Sequence, residues 1–335
     1  MGLKKFFKKK LMLGSMKKQR AGTPFDVKAA ELFELTDQTD PNFNNSYYIT
    51  AHGDARLYLR LGKRADGKAE IWLKFTDGEF TATGKTVGCA LSDSPVTVGC
   101  IEPAAKWEHV FRGEVTADGE DMPAEIKVTF FGTSTIYDFF THGNDALTAK
   151  AYTGVKWNGA FFDSLKRNKQ THYEQVGFAD VGVAAGGTIR KFSRIPAVRD
   201  HSFGMRDWSG MRRHFWLVGA SESGEYFNVS SVHYPCADEI RAGYFCDGGG
   251  FVNFDDFTVC GDVICGGNGP DEIKVTVIGT DGRKTEISGR RTDDEVFYMQ
   301  GGSYVVHEGL GEFIADGKIY KGIWEFGFNA DPKKR

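Results

Sequence analysis

One short stretch concentrates groups able to move protons: Val198-Arg199-Asp200-His201-Ser202-Phe203-Gly204-Met205-Arg206-Asp207-Trp208. Two Arg-Asp pairs seven residues apart flank an imidazole, a glycine and two aromatic rings. An imidazole held in one tautomer by a carboxylate is an acid–base device near neutral pH. In an extended strand Arg199 and His201 share one face while Asp200 and Ser202 take the other, so Asp200 is badly placed to orient its neighbour. A turn at Gly204 would bring Asp207 opposite His201. These considerations make His201, Asp200 and Asp207 the expected catalytic groups. Arg199, Phe203, Arg206 and Trp208, joined by Trp216, Tyr226 and Asn228 downstream, are the expected walls of a substrate site. The competing reading is architectural, because Arg and Asp pairs at the end of a barrel also satisfy one another and fix register.

Other chemistry is poorly supported. Thr83-Gly84-Lys85-Thr86 ends like a phosphate loop, but Gly78 lies one residue too far upstream and hairpins surround it. Gly309-Leu310-Gly311 lacks the third glycine of a dinucleotide fingerprint, and Gly219-Ala220-Ser221-Glu222-Ser223 lacks the closing glycine of a nucleophile elbow. The eight histidines are widely scattered without an HExxH motif, and none of the six cysteines forms a CxxC pair. The expectation is therefore chemistry without metal or cofactor.

Strict alternation defines the elements that must position these groups. Leu57, Leu59 and Leu61 alternate with Arg56, Tyr58 and Arg60; Ile126, Val128 and Phe130 alternate with Lys127 and Thr129; Ile273, Val275 and Val277 alternate with Lys274 and Thr276. Asp66-Gly67, Asp281-Gly282 and Asp316-Gly317 punctuate these runs as hairpin turns. Helical periodicity is confined to about residues 27 to 36 and 159 to 168. With 335 residues, two domains are expected. No alternation of strand with helix supports a parallel α/β fold.

Residues 1 to 20 hold eight basic side chains and no acid, which leaves 34 basic against 45 acidic groups elsewhere, a balance near −11. A body so acidic is a poor partner for nucleic acid. In a helix Leu3, Phe6, Phe7, Leu11, Leu13 and Met16 gather loosely on one side with lysines opposite, the pattern of a segment that lies on a membrane surface; a disordered basic tail is the alternative. Lysine interrupts the run too early for a signal peptide, and no stretch is apolar enough for a span. A cytoplasmic protein with peripheral membrane contact through residues 1 to 20 is expected. The pairing state of the six cysteines stays open.

Several pieces resemble the hydroxyneurosporene-synthase-like (carotenoid hydratase) and AttH-like superfamily of double lipocalin-like proteins. They are Asn45-Ser46-Tyr47-Tyr48, the run from Leu59 to Arg64, His172-Tyr173-Glu174-Gln175-Val176-Gly177, the run from Arg199 to Trp208, and the closing hairpin from Gly317 to Glu325. The resemblance implies an all-β chain of two lipocalin-like (calycin) antiparallel β-barrel halves packed together with few short helices. We place the halves at 21–170 and 171–335. It also implies an interior for an isoprenoid, terpenoid or lipid-like molecule, and places Asp200, His201, Arg206, Asp207 and Trp208 at the polar site. Phe203 stands where the superfamily has tryptophan, which removes an indole N–H donor and keeps the ring. The expected function is cofactor-independent proton transfer at a double bond of a hydrophobic substrate, by a hydratase, isomerase or cyclase; the alternative is a carrier that binds a lipid or pigment unchanged.

Overall fold

In the computed structural model, residues 2–35, 39–247, 250–260 and 267–335 are described. The alternating runs of the first half become β1 (Phe43–His52), β2 (Arg56–Arg64), β3 (Lys68–Thr76), β4 (Thr81–Gly84), β5 (Gly88–Ala90), β6 (Val96–Glu102), β7 (Lys106–Ala117), β8 (Glu120–Gly132), β9 (Tyr137–Asp138), β10 (Gln170–Ala185) and β11 (Thr188–Met205). Eight of these pair in the order β11-β1-β2-β3-β4-β7-β8-β10, all antiparallel, and pairing of β10 with β11 closes the barrel. Closure leaves those strands without a free edge. Leu57, Leu59, Leu61, Phe75, Phe111, Ile126, Val128 and Phe130 fill its interior.

The second barrel is built the same way from β12 (Arg213–Ala220), β13 (Tyr226–Tyr234), β14 (Ala237–Cys246), β15 (Phe251–Cys260), β16 (Glu272–Gly279), β17 (Lys284–Arg291), β18 (Glu295–Met299), β19 (Tyr304–Ala315) and β20 (Lys318–Asn329). Eight strands run β17-β16-β15-β14-β13-β12-β20-β19 and close through β17 and β19. Phe215, Phe227, Phe254, Phe257, Phe313, Trp324 and Phe326 dominate that core. Burying each such ring contributes roughly 1.5–3 kcal/mol.

The helices are α1 (Leu3–Gly22), α2 (Val27–Glu31), α3 (Phe139–His142), α4 (Asp145–Ala151) and α5 (Gly159–Arg167). Residues 3 to 22 are thus helical rather than a loose tail. The Asp26 carboxylate caps α2 by accepting from the Ala29 N–H at 3.0 Å, and Asn158 caps α5 by accepting from Phe161 at 3.1 Å. Among the described residues no helix is long and apolar enough to cross a membrane. Cys89, Cys100, Cys236, Cys246 and Cys260 are free thiols, and Cys265 lies outside the described residues.

Two sequence expectations need correction. The first is the domain boundary near residue 170. One compact unit holds residues 26–138 and 170–206, and the other holds 1–25, 139–169 and 207–335. The reason is hydrogen bonding: β10 pairs with β8 and with β11, and β11 pairs with β1, so residues 170–205 complete the first barrel. Strand alternation is alike in both halves and carries no label for which barrel a strand closes. The second concerns turn type. At Asp316-Gly317 both residues have positive φ, 48° and 75°, as a primed two-residue turn requires. At Asp66-Gly67 only the glycine does, with φ 80°, in a three-residue loop between β2 and β3.

A buried ion pair plugs one end of the first barrel. Arg199 on β11 donates to Glu31 of α2 at 2.8 Å, and Glu31 also accepts from the Trp107 indole N–H at 2.7 Å and the Ala104 N–H at 2.9 Å. Gln175 accepts two further bonds from Arg199, at 3.1 and 2.8 Å. Glu31→Leu leaves the guanidinium buried without its counter-charge, which should cost about 3–5 kcal/mol in urea unfolding, whereas Glu31→Leu with Arg199→Met should recover most of that loss. Equal stability of the single variant and the parent would show that the plug does not hold the barrel.

Candidate functional site

Strand β11 carries the chemically dense stretch, and its alternation splits that stretch between two environments. Arg199, His201 and Phe203 point into the first barrel, whereas Asp200 and Ser202 point away from it. Gly204 makes no turn. It stays in the strand opposite Asn44 on one side and Gln170 on the other, although its φ is 131°. The expected pairing of His201 with Asp207 is therefore absent, because hydrogen bonding on both sides keeps the strand extended past Gly204.

Inside the barrel His201 is fully satisfied. Its Nε2–H donates to Asn45 Oδ1 at 2.8 Å, and its Nδ1 accepts from the Tyr173 hydroxyl at 2.6 Å. Asn45 Nδ2 in turn donates to the Tyr47 hydroxyl at 3.0 Å, which donates to the Phe33 carbonyl at 3.2 Å. The Tyr47 ring stacks on the imidazole 4.3 Å away, and Phe203 stacks on Phe33 at 4.0 Å. Burial first, then the Arg199 and Lys63 charges, hold His201 neutral, with a pKa well below its ordinary value. His109, which the sequence did not single out, is also inside. Burial and then Arg199 push it down to about 3, and neither ring nitrogen has a partner among the described residues. Nothing in the local pattern distinguishes His109 from the apolar residues that alternate with it on β7.

The opposite face of β10 and β11 gathers a different set. Asp200 contacts His172 Nε2 directly, and Glu174 is buried beside them; one donor atom from each of the three lies within 4.8 Å of the others. An imidazole with two carboxylates is a donor set of the kind that can hold a divalent cation. Burial opposes a charge on His172. The Asp200 carboxylate, through its charge and direct contact, and then the Glu174 charge outweigh burial and the opposing Arg206, so the imidazole titrates above its ordinary value. Sequence reasoning chose Asp200 but gave it no imidazole, pairing His201 with Asp207 instead. The signal was present in the His-x-Glu spacing of residues 172 and 174, which puts both on one face of a strand.

The remaining expected residues scatter. Arg206 donates to Gln170 at 2.9 and 2.7 Å and to Ser202 at 3.1 Å. Asp207 accepts from the Ser209 hydroxyl at 2.6 Å and the Gly210 N–H at 3.1 Å, the bonds of a local turn. Trp216, Tyr226 and Asn228 lie on the second barrel, on strand faces opposite to the inward Phe215, Leu217, Phe227 and Val229. Trp216 shares β12 with His214, whose Nε2 contacts Glu325 at 2.5 Å and whose Nδ1 contacts the Tyr304 hydroxyl at 2.6 Å. Trp208 lies 5.3 Å from the Tyr304 ring.

A family described as a domain of unknown function, DUF7064, matches residues 31–330. The chain belongs to this family. Among curated proteins none matches it. Solved structures share its fold: a protein assigned as AttH from Nitrosomonas europaea, with TM-score 0.56, 11% identity, and coverage of 85% of this chain and 92% of that one; CghA, with TM-score 0.53, 9% identity, and coverage of 92% and 93%; and kievitone hydratase from Nectria haematococca, with TM-score 0.51, 9% identity, and coverage of 92% and 96%. These likenesses show the double-lipocalin fold that the sequence resemblance implies.

The electrostatics of His172 make a direct prediction. The pair's contribution to stability is full below about pH 6.5, where unfolded histidine is charged, and fades as pH rises through the higher folded value. Asp200→Asn removes the chief groups favouring charge, leaving burial dominant. NMR titration should then show the His172 pKa falling below the ordinary histidine value. An unchanged titration would mean that Asp200 does not govern this imidazole.

Proposed function

We propose that the chain is an enzyme that moves a proton on a hydrophobic small molecule without a cofactor, with the His172–Asp200 pair as its proton donor and acceptor. The observation that carries this reading is the His172 imidazole in direct contact with Asp200, beside Glu174 and still partly exposed, with its pKa raised by those charges. A group with these properties can act as an acid, and the carboxylate beside it orients the ring and favours its protonated form. His201 does not share these properties, because both its nitrogens are bonded and burial keeps it neutral. In this proposal it positions β11, and through β11 the Asp200 backbone.

An imidazolium is too weak an acid for an isolated alkene, so the proposed substrate carries a double bond polarised by oxygen or conjugation. The His172 N–H bond breaks and a C–H bond forms. The electron-poor carbon is then closed by water in a hydratase, by loss of a neighbouring proton in an isomerase, or by an internal nucleophile in a cyclase. In the first two cases a proton returns to the imidazole and the balance closes without a redox partner. In a cyclase the closing nucleophile sheds its own proton to the same base. One fold neighbour is named a hydratase; the proposal rests on the His172 geometry and not on that name.

The test begins with organic extraction of the purified protein and mass spectrometry of whatever hydrophobic molecule accompanies it. That molecule, incubated with the protein in heavy water, should take up solvent deuterium. His172→Gln should slow uptake by at least ~10²-fold, the usual size of a general-acid contribution, while binding is retained. Uptake at the parent rate in His172→Gln would sink the assignment, and retained binding with no uptake by the parent itself would make the chain a carrier.

A further inference from the structure

We propose that α1 docks the protein on an anionic lipid surface. The helix divides its residues between two faces. Lys8, Met12, Met16 and Arg20 recur every fourth residue and, with Lys9 and Leu13 beside them, are the positions withdrawn from solvent, Met16 being buried. The Lys8 ammonium donates to the Val155 carbonyl and lies 5.4 Å from the centre of the Trp157 ring. The Arg20 guanidinium donates to Asp145 at 2.9 Å and lies 5.1 Å from the Phe140 ring. These contacts fix the rotation of α1 about its own axis.

With that rotation fixed, the other face points outward. Leu3, Phe7 and Leu11 are again spaced by four, and Phe6 stands one turn from Leu3. Their exposures are 73%, 55%, 65% and 51% respectively. Phe6 and Phe7 meet each other edge to face at 5.9 Å. Scattered singly, exposed apolar residues mean nothing; four on one face of one helix form a patch that selects a partner.

The surrounding charges identify the partner's chemistry. Lys4, Lys5, Lys10, Lys17 and Lys18 are all exposed, and no acidic side chain lies between residues 1 and 20. These cations spread along and around the apolar face rather than in a cluster that would match a few discrete carboxylates. A leaflet of anionic headgroups offers diffuse negative charge, into which the rings and leucines insert while lysine stems reach back to the phosphates. The rest of the chain, near −11, is repelled by the same surface, so α1 alone would face it. A helix of this length, about 30 Å, would lie in the interface rather than span it.

Vesicle flotation of the full chain tests this independently of any catalysis. Phosphatidylcholine vesicles with about 30 mol% phosphatidylserine should carry the protein, and pure phosphatidylcholine should bind at least ~10-fold more weakly. Lys17→Gln with Lys18→Gln should weaken anionic binding by about fivefold per lysine, and Phe6→Ser with Phe7→Ser by at least ~10-fold. All four side chains point away from the body, so circular dichroism and the melting temperature should match the parent. Equal binding to neutral vesicles, binding to neither, or binding unmoved in both variants would overturn the proposal. So would an acidic protein partner that needs the same two phenylalanines while anionic vesicles fail.

Discussion

The first barrel depends on β11 being hydrogen-bonded along both of its sides. With β1 on one edge and β10 on the other, the strand cannot turn at Gly204, and its side chains are forced to alternate without interruption. Everything distinctive about residues 199 to 203 follows from that constraint. Arg199 and His201 are driven inward, where burial demands partners, and Asp200 is driven to the other face, where it lies opposite Glu174 and reaches His172 diagonally across the strand pair. A strand with one free edge could have bent and satisfied these groups differently.

The two histidines of adjacent strands show how strongly environment decides chemistry. His201 faces aromatic rings and neutral hydrogen-bond partners, and a nearby guanidinium discourages its charge, so it remains a neutral strut. His172 is also penalised by burial, but two carboxylates reverse the sign. The same imidazole is thus a structural hydrogen-bonding piece on one face of the sheet and, in the proposed function, a proton carrier on the other. The Arg199–Glu31 pair belongs with His201: it is enclosed, further bonded to Gln175, and ties a helix to the barrel. The architectural reading of the charged motif therefore holds on the inward face of β11, and the catalytic reading is proposed for the other.

The helix at residues 3–22 carries a second division of labour. Its cationic residues are of two kinds, those whose charge is spent on Asp145 and on carbonyl and aromatic groups of its own unit, and those left in solvent beside large apolar side chains. Composition alone lumps these together as a basic segment. Only a fixed rotation of the helix separates them.

By itself the sequence determined the all-β class, the positions of most hairpins, the helices near 27 and 159, the acidity of the body and the concentration of ionisable groups at residues 199 to 208. These are local properties, set by a period of two, by glycine at positive φ and by side-chain type. It also determined that Asp200 and His201 could not work together, since neighbours in a strand face apart. Tertiary structure alone decided that residues 170–205 close the first barrel, that Glu31 neutralises Arg199 from 168 positions away, and that His172 rather than His201 or Asp207 meets Asp200. Pairing between distant strands set those outcomes, and the alternation within each strand is the same whichever neighbour it finds.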